Sequence, residues 1–287
     1  MYESSLLVLL YGCEITSSMT LNSLIEAKVK FNNSKLIIWN NGPEALDVIN
    51  TAPFEFLGLE VEVVEAVENV SLAKVYNKFI KSNSAKRYVI LDHDSSLNSI
   101  YLKAISNISV AKIGVPKIYD NDKLVGPQLN GVLLNNDNDN DIAINDEDKF
   151  VAIGSGIVIG RHIVKKINEY FGLIFDSRYY LYGVDTTFFL RVKLCKLNGS
   201  INIINGFSHS LSRLENESDS IKKFRKLERT YDLGLTLRHY YSFHKIVYFL
   251  IKFTYKDMKN MFFNRKTSLC YKHFIKALIT GRHYRDD

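Results

Sequence analysis

Four short β-like runs in the first part of the chain constrain its fold more than any other feature. They are Leu6 to Leu10, Leu36 to Trp39, Val61 to Val64 and Tyr88 to Leu91, about 25 to 30 residues apart. That interval leaves room for one helix between successive strands, which is typical of βαβ units. The sequence therefore predicts an open, mostly parallel α/β sheet, whose ligands gather beyond the carboxyl ends of the strands.

The segments around these strands have helical or mixed patterns. Thr20 is the expected N-cap of a helix over LNSLIEAKVKF, and SLAKVYNKFIKS places apolar side chains on one helical face. After Asp94, KIGVPKIYDNDKLVGP indicates two short strands around a turn, and VAIGSGIVIG indicates one buried strand. Further helices are predicted over about 161–170 and from Asp185, with a strand over 201–204 between them and the C-terminal region.

The composition is that of a globular protein. Of 287 residues, 46% are hydrophobic and 24% charged, which excludes collagen-like, coiled-coil and wholly disordered chains. Three widely spaced cysteines without a CxxC pair favour neither a zinc ribbon nor a secreted disulfide framework, so we expect a cytoplasmic location. The N-terminal apolar run lacks a basic flank, and the run from Ile246 to Ile251 is far shorter than the roughly 20 residues that span a bilayer.

The basic charge of the chain is concentrated near its C-terminus. Residues 221–287 contain 16 Lys and Arg against 5 Asp and Glu, a net charge of +11, whereas the remainder has a net charge of −5. The same residues have helical periodicity and are rich in aromatic side chains. We predict two parts, an α/β domain over 1–220 and a basic, aromatic helical region over 221–287.

Paired carboxylates follow the fourth predicted strand. Asp92 and Asp94 are one residue apart at the carboxyl edge of the sheet, where both can face a cleft and supply oxygen ligands to Mg²⁺ or Mn²⁺. The alternative is a solvated turn, since such triplets also arise by chance. His209, in the polar segment NGFSHSLSRL, follows the last predicted strand, although a lone histidine is seldom a ligand.

Two further polar positions have a functional and a structural interpretation each. Asn40 and Asn41 end the second strand, where their amides can pair with a nucleobase edge or simply form a turn with Gly42 and Pro43. Asp185 begins a helix in FDSRYYLYGVDTTFFLRV, where it is a helix N-cap or a carboxylate presented to a cleft as a general base.

Taken in order, five segments resemble the GT-A fold glycosyltransferases of the large inverting family 2 type, especially the rhamnosyltransferase-like members that build bacterial O-antigen and capsule. The resemblance covers about residues 5–255 and rests on LLYGCEITSSMTLNSL, LIIWNNGP, YVILDHDSSL, GSGIVIGRHIV and FDSRYYLYGVDTTFFLRV. It implies a Rossmann-like mixed sheet flanked by helices, with a nucleotide-sugar half over about 1–95 and an acceptor half over about 96–220.

The resemblance also implies roles for the metal and the base. Asp94 would bind Mg²⁺ or Mn²⁺, Asp92 would contact ribose or metal-bound water, and His209 would lie near the diphosphate and the metal. Asp185 would remove the proton of an acceptor hydroxyl that attacks the anomeric carbon opposite the leaving nucleoside diphosphate, with inversion of configuration.

The resemblance places the remaining site residues around the two substrates. Tyr11, Asn40 and Asn41 would lie on the donor side, and Ser155 and Gly156 on the acceptor side. Asn40 stands where the family usually has Asp, which leaves TDP-rhamnose and UDP-sugars open as donors. The implied acceptor is a lipid-linked oligosaccharide or a polysaccharide.

Two other function classes remain open from the sequence. A nucleotidyltransferase also uses paired acids beside an α/β sheet, but GCEITSSM, after the first strand, has no basic residue to bind phosphates. A nucleic-acid-binding protein would use the basic C-terminal region. We expect no nucleic-acid partner, because the aromatic residues of that region are better explained as core or interface.

The C-terminal region itself has two interpretations. Basic and aromatic helices without a span-length apolar run suit an anionic membrane surface, which would place the protein peripherally on the inner face of the plasma membrane. The alternative is that these helices cover the catalytic domain or form a homodimer face.

Overall fold

A mixed sheet flanked by helices forms the centre of the protein, and it confirms the α/β class that the strand spacing predicts. The computed structural model describes residues 1–135, 142–210, 218–263 and 269–286. Its first strands are β1 (Tyr2–Leu10), β2 (Ser34–Asn40), β3 (Leu59–Glu65) and β4 (Ala85–Asp92), and each contains one of the four sequence runs. They are parallel neighbours in the order β3-β2-β1-β4.

The rest of the sheet mixes strand directions. The later strands are β5 (Ser95–Ser96), β6 (Ile113–Asp120), β7 (Lys123–Gly126), β8 (Gln128–Leu129), β9 (Val132–Leu133), β10 (Phe150–Val151), β11 (Ile157–Gly160) and β12 (Ile201–His209). The main sheet continues as β4-β11-β6-β12-β5, with β7 beside β6, while β8, β9 and β10 form a small separate sheet. Because β11 is antiparallel to both β4 and β6, and β12 is parallel to β6, the carboxyl ends of β4 and β12 lie at the same edge.

Helices cover both faces of the sheet. They are α1 (Met19–Glu26), α2 (Ala52–Phe56), α3 (Leu72–Ser82), α4 (Ser99–Asn107), α5 (Arg161–Phe171), α6 (Val184–Leu194), α7 (Asp219–Tyr240), α8 (Phe243–Phe262) and α9 (Tyr271–Thr280). Leu7 and Leu9 of β1 belong to the core that includes α3, α5 and α6, and the alternate residues Leu6 and Val8 belong to the core that includes α1 and α4. Burial on both faces explains why β1 is a continuous apolar run rather than an alternating one.

Three local predictions differ from the structure. The N-cap of α1 is Ser18, whose side chain accepts from the backbone N–H of Leu21, and Thr20 lies inside the helix. The run VAIGSGIVIG is not one strand, because residues 152–156 separate β10 from β11. The last strand extends to His209, so that histidine belongs to the strand rather than to a segment after it.

The C-terminal region is helical, as predicted. Helices α7 and α9 pack closely at Gly234, where an added Cβ would lie 2.7 Å from the Cβ of Ala277. Helix α8 adds Phe249 and Phe253 to a small cluster around Leu237 and Phe274. Among the described helices, none combines the length and the hydropathy needed to cross a membrane. The division of the chain near residue 220 stays a prediction.

A buried ion-pair network joins α7 to the segment that precedes α6. The carboxylate of Asp176 is 2% exposed and lies 3.2 Å from the guanidinium of Arg191, which is itself buried. It also accepts hydrogen bonds from Arg178 Nε at 2.8 Å and from the Tyr240 hydroxyl at 2.7 Å. These groups lower the pKa of Asp176 to about 2 despite its burial. The network fixes the chain just before the start of α6.

We expect Asp176→Ala to lower the free energy of unfolding by about 3 kcal/mol at pH 7, because it leaves the Arg191 guanidinium buried without its partner. Asp176 stabilises the fold fully above its unfolded pKa of 3.8, and this contribution is lost as the pH falls through about 2. The difference from the native chain should therefore shrink by about 1 kcal/mol at pH 3.

Urea denaturation at both pH values measures this effect. The control is Glu169→Gln, which removes an exposed partner of Lys165 and should cost less than about 0.5 kcal/mol. Equal stabilities of Asp176→Ala and the control would contradict the proposed importance of the network.

Candidate active site

Two side chains at the amino end of α1 bond the backbone of the segment between β4 and β5. Thr20 Oγ1 donates to the carbonyl of Asp92 and accepts from the backbone N–H of Ser95 at 2.9 Å. Ser18 Oγ donates to the carbonyl of His93 at 3.2 Å. From the other side, Ser155 Oγ accepts from the backbone N–H of Asp92 at 3.0 Å. These bonds position the two carboxylates at the sheet edge.

The structure brings Asp92, Asp94 and His209 together. One potential ligand atom from each lies within 4.8 Å of the others. His209 Nδ1 is 3.3 Å from Asp94 Oδ1 and 3.0 Å from Ser95 Oγ. This convergence arises because the carboxyl ends of β4 and β12 lie at the same edge of the sheet. There β5 pairs with β12, and Ser95 lies opposite His209. Sequence separation hides the convergence, because more than a hundred residues lie between the acids and the histidine.

The donor set of this cluster fits a divalent cation. Asp94 Oδ1 is buried and accepts no hydrogen bond from the part of the chain that the structure describes, so it has a free ligand position. Burial lowers the pKa of His209, which favours the neutral imidazole that a metal requires. Two carboxylates suit Mg²⁺ or Mn²⁺, and an added imidazole nitrogen favours Mn²⁺ because Mg²⁺ prefers oxygen ligands.

Asp185 lies near this cluster but is not a helix cap. The N-cap of α6 is Gly183, whose backbone has φ +83°, and Asp185 is in the first turn after it. Asp185 Oδ2 instead accepts from the backbone N–H of Gly154 at 2.9 Å. A Cβ at position 154 would lie 2.2 Å from Asp185 Oδ1, so the glycine permits this close approach.

Burial and mutual repulsion perturb the carboxylates of the site. Burial raises the pKa of Asp92 to about 7, and the charge of Asp94 adds to the effect. Burial also raises the pKa of Asp185 to about 7, with a further contribution from Asp92, while the N–H of Gly154 and His209 oppose the rise. A carboxylate that titrates near neutral pH is suited to proton transfer.

A cleft of about 690 Å³ opens beside Asp185. Its lining includes Tyr182, just before α6, and Arg229 and Asp232 of α7. Arg229 lies over the ring of Tyr182 at 4.8 Å, and Asp232 Oδ1 accepts from Thr236 at 3.2 Å. Burial raises the pKa of Asp232 to about 6, and Asp185 adds to the rise. Sequence reasoning missed these α7 residues, because one acid in a charged amphipathic helix has no distinguishing pattern.

The two asparagines predicted to contact a base are structural in this conformation. Asn40 is 1% exposed, and its amide nitrogen donates to the carbonyl of Glu44 and to Glu65 Oε2 at 2.7 and 2.6 Å. Asn41, also 1% exposed, bonds Val70 through both its amide nitrogen and its oxygen. Both side chains bond the protein in this conformation, and their contact with a base stays a prediction. Tyr11, in contrast, is 47% exposed at the end of β1.

The predicted acceptor residues are also enclosed. Ser155 is 1% exposed, and its hydroxyl lies 2.9 Å from that of Ser95. Gly156 is buried, with φ +85°, and its carbonyl accepts from the Tyr101 hydroxyl at 2.9 Å. Their contact with an acceptor stays a prediction. They support the backbone behind Asp92.

Comparisons with known proteins give the fold. No protein-family model and no curated protein sequence matches the chain. Among solved structures, residues 1–349 of S. aureus TarS are similar with a TM-score of 0.50 and 14% identity, over 84% of this chain and 66% of that one. The mannosyltransferase PcManGT from Pyrobaculum calidifontis, in complex with GDP-Man and Mn²⁺, has a TM-score of 0.51 and 13% identity, over 81% and 62% of the two chains.

A mycobacterial protein is similar at a TM-score of 0.51 and 8% identity, over 82% of this chain and 74% of that one. This chain thus spans less than two thirds of the length of the TarS and PcManGT chains. At these identities, the likenesses show that the chain has a GT-A-like α/β fold.

Proposed function

We propose that the protein is a metal-dependent glycosyltransferase that uses a nucleoside diphosphate sugar and inverts the anomeric configuration. One observation carries the proposal: a cation-ligating cluster of Asp92, Asp94 and His209 lies beside a carboxylate of raised pKa, Asp185, at the carboxyl edge of a GT-A-like sheet. The similar mannosyltransferase PcManGT, in complex with GDP-Man and Mn²⁺, supports this substrate class.

Asp92, Asp94 and His209 would hold the cation, with Mn²⁺ favoured over Mg²⁺ by the imidazole. When bound, such an ion neutralises the charge that develops on a leaving diphosphate. Tyr11 is the exposed member of the predicted donor set, and its hydroxyl accepts from Asn69 at 3.4 Å. Its ring is therefore our candidate for contact with the nucleotide. TDP-, UDP- and GDP-linked sugars are all candidate donors.

Asp185 would act as the general base. Its Oδ2 is held by the N–H of Gly154, and its other oxygen would take the proton from an acceptor hydroxyl. The hydroxyl oxygen forms a bond to the anomeric carbon as the bond from that carbon to the diphosphate oxygen breaks. One displacement of this kind inverts the configuration.

The acceptor would occupy the cleft beside Asp185. Asp232 offers a carboxylate, and Arg229 and Tyr182 offer a guanidinium and an aromatic ring, a combination that suits the hydroxyls and apolar faces of a sugar. A lipid-linked oligosaccharide or a polysaccharide in bacterial surface polysaccharide synthesis is the acceptor class that we propose. Asp232 would position it rather than take part in the chemistry.

Incubating the protein with Mn²⁺ and a panel of TDP-, UDP- and GDP-sugars, while measuring slow release of the nucleoside diphosphate, tests the proposal directly. Release that depends on the sugar nucleotide and on Mn²⁺ supports it. Release of pyrophosphate from a nucleoside triphosphate would favour the alternative of a nucleotidyltransferase.

The metal is tested by Asp94→Asn and His209→Ala. We expect each to weaken Mn²⁺-dependent binding of a nucleoside diphosphate by about 100-fold or more, since loss of outer-shell partners alone costs 10–100-fold. Titration calorimetry with and without EDTA measures this, and Asp122→Asn in the exposed turn between β6 and β7 is the control. Binding that resists both EDTA and the two substitutions would show that the protein does not need the cation.

The base is tested by Asp185→Asn, which keeps the shape of the side chain but cannot accept a proton. Turnover should fall by about 100-fold or more at nearly unchanged donor affinity. In the native chain, kcat/KM should rise with pH with an apparent pKa at or below about 7, because the base must be ionised and a cation on Asp92 reduces the repulsion.

Thermal melting of the same variant distinguishes a catalytic role of Asp185 from a purely structural one. The folded pKa of Asp185, about 7, lies above its unfolded value of 3.8, so its contribution destabilises the fold increasingly as the pH rises from 3.8 and reaches its full size above about pH 7. Asp185→Asn should therefore melt higher than the native chain at pH 8. A lower melting temperature together with a near-native rate would assign Asp185 to the fold instead.

The acceptor contact is tested by Asp232→Asn. We expect the KM for a glycan acceptor to rise about 10-fold or more, because the substitution removes one hydrogen bond to a charged group. Acceptor-independent hydrolysis of the donor should stay unchanged. The exposed acid Asp219, in the first turn of α7, supplies the control Asp219→Asn. Equal losses in transfer and hydrolysis would show that Asp232 acts on the donor or on the fold.

A further inference from the structure

In the part of the chain that the structure describes, helix α8 packs against the protein mainly along one face. Its partly buried apolar residues contact Leu237 of α7 and Phe274 of α9, and they are Ile246, Phe249, Leu250 and Phe253. One ring pair crosses this contact: Phe253 of α8 meets Phe274 of α9 edge to face at 6.0 Å. Within α8, Phe249 stacks on Phe253 at 5.9 Å. This face accounts for the attachment of α8 and leaves the rest of the helix at the surface.

The surface of α8 carries a largely apolar stripe, in which His244 and Thr254 are polar. Its members and their exposed fractions are Phe243 73%, Val247 37%, Tyr248 60%, Ile251 66%, Tyr255 69%, Met258 65% and Phe262 83%. At 3.6 residues per turn, these seven positions fall within an arc of about 140°. The stripe runs the whole length of the helix, about 30 Å at 1.5 Å per residue. Large apolar side chains exposed together in this way indicate an interaction surface.

Exposed lysines border this stripe along one side. Lys245, Lys252, Lys256 and Lys259 fall within an arc of about 60° between the apolar stripe and the buried face. From residue 233 to residue 284 the sequence has ten Lys and Arg and one acid, Asp257, which is buried. The exposed part of α8 is therefore apolar on one side and positive on the other.

This combination selects one kind of partner. A second copy of the chain would bring two lysine-bordered helices together without exposed acids on α8 to pair them, so like charges would oppose the contact. A nucleic acid would pair with the lysines but would leave seven apolar side chains exposed to water or phosphate. An anionic lipid surface satisfies both sides, because apolar residues enter the acyl boundary and lysines meet the headgroups.

We propose that α8 is an in-plane membrane-docking helix that binds anionic bilayers through its apolar stripe and its lysine border. The sequence pointed to the whole basic C-terminal region, and the structure narrows the contact to one face of one helix. Phe243, Tyr248, Tyr255 and Phe262 place rings along the helix at the depth where aromatic side chains settle at an interface. The proposal stands independently of the glycosyltransferase activity.

The experiment is co-sedimentation of the full chain with vesicles of phosphatidylcholine alone or with 30% phosphatidylglycerol. We expect binding to the anionic vesicles only, with a loss of about 10-fold when the salt concentration rises from 0.05 to 0.5 M. Ile251→Ser with Tyr255→Ser should reduce binding by about 10-fold or more, as should Lys252→Gln with Lys256→Gln. All four side chains are exposed, so the fold should tolerate the changes.

Matched controls come from helices outside the C-terminal region. Ile100→Ser with Tyr170→Ser removes apolar side chains that are 59% and 67% exposed on α4 and α5, and Lys165→Gln with Lys166→Gln removes two lysines of α5. Both controls should bind like the native chain. Equal binding to both vesicle types, or equal losses in the controls, would overturn the proposal.

Two other outcomes would also overturn it. A mass near twice 33.0 kDa by sedimentation equilibrium, converted to the monomer by Ile251→Ser with Tyr255→Ser, would assign the stripe to a homodimer. The second is binding to a DNA or RNA oligonucleotide, but not to vesicles, that is abolished by Lys252→Gln with Lys256→Gln. This result would show that the lysine border binds nucleic acid. Donor hydrolysis measured without vesicles reports separately on the proposed enzymatic function.

Discussion

The cost of desolvating three partly buried carboxylates, increased by repulsion between neighbouring acids, is the constraint on which the site depends. Asp92 ends a strand, Asp185 begins a helix after a long connection, and Asp232 lies on the C-terminal α7, yet desolvation raises the pKa of all three. The charge of Asp92 adds to the rise at Asp185, and the charge of Asp185 adds to the rise at Asp232. The ionised form of each group costs free energy at its position, so the surrounding fold has to hold the carboxylate there. In the enzyme that we propose, a bound cation would relieve this cost at Asp92.

The groups that bond these carboxylates or their backbone are neutral hydroxyl and N–H groups. Thr20 holds the backbone at Asp92, Ser155 holds it from the opposite side, and Gly154 donates to Asp185 through its N–H. The segment around residues 154–156 therefore braces both acids at once. The same short stretch, which looks like the middle of a strand, interrupts the chain between β10 and β11.

Sequence patterns predicted the parts of the structure that depend on local periodicity. The four parallel strands, the amphipathic helix α3 and the acids at the end of β4 all follow from apolar spacing and strand ends. The long-range packing did not follow: Asn40 and Asn41 became buried turn residues because Glu65 and Val70, from the neighbouring strand and the loop after it, bond them. Ser155 likewise bonds inward because β11 inserts antiparallel beside β4, an arrangement that no local pattern encodes. The cleft residues of α7 depend on the same kind of distant packing.

Helix α7 connects the two surfaces for which we propose functions. Asp232 faces the cleft beside Asp185, and Leu237, five residues later, belongs to the cluster that anchors α8. Thr236, between them, donates to Asp232 and lies 3.1 Å from the Tyr179 hydroxyl, so the helix is fixed to the chain before α6 as well. An acceptor with a lipid anchor would have to enter the cleft near a bilayer. Because α8 packs on α7, docking through α8 would keep the cleft at a fixed position relative to that bilayer. Docking through α8 would then reduce the search for the acceptor from three dimensions to two without any change in the catalytic groups.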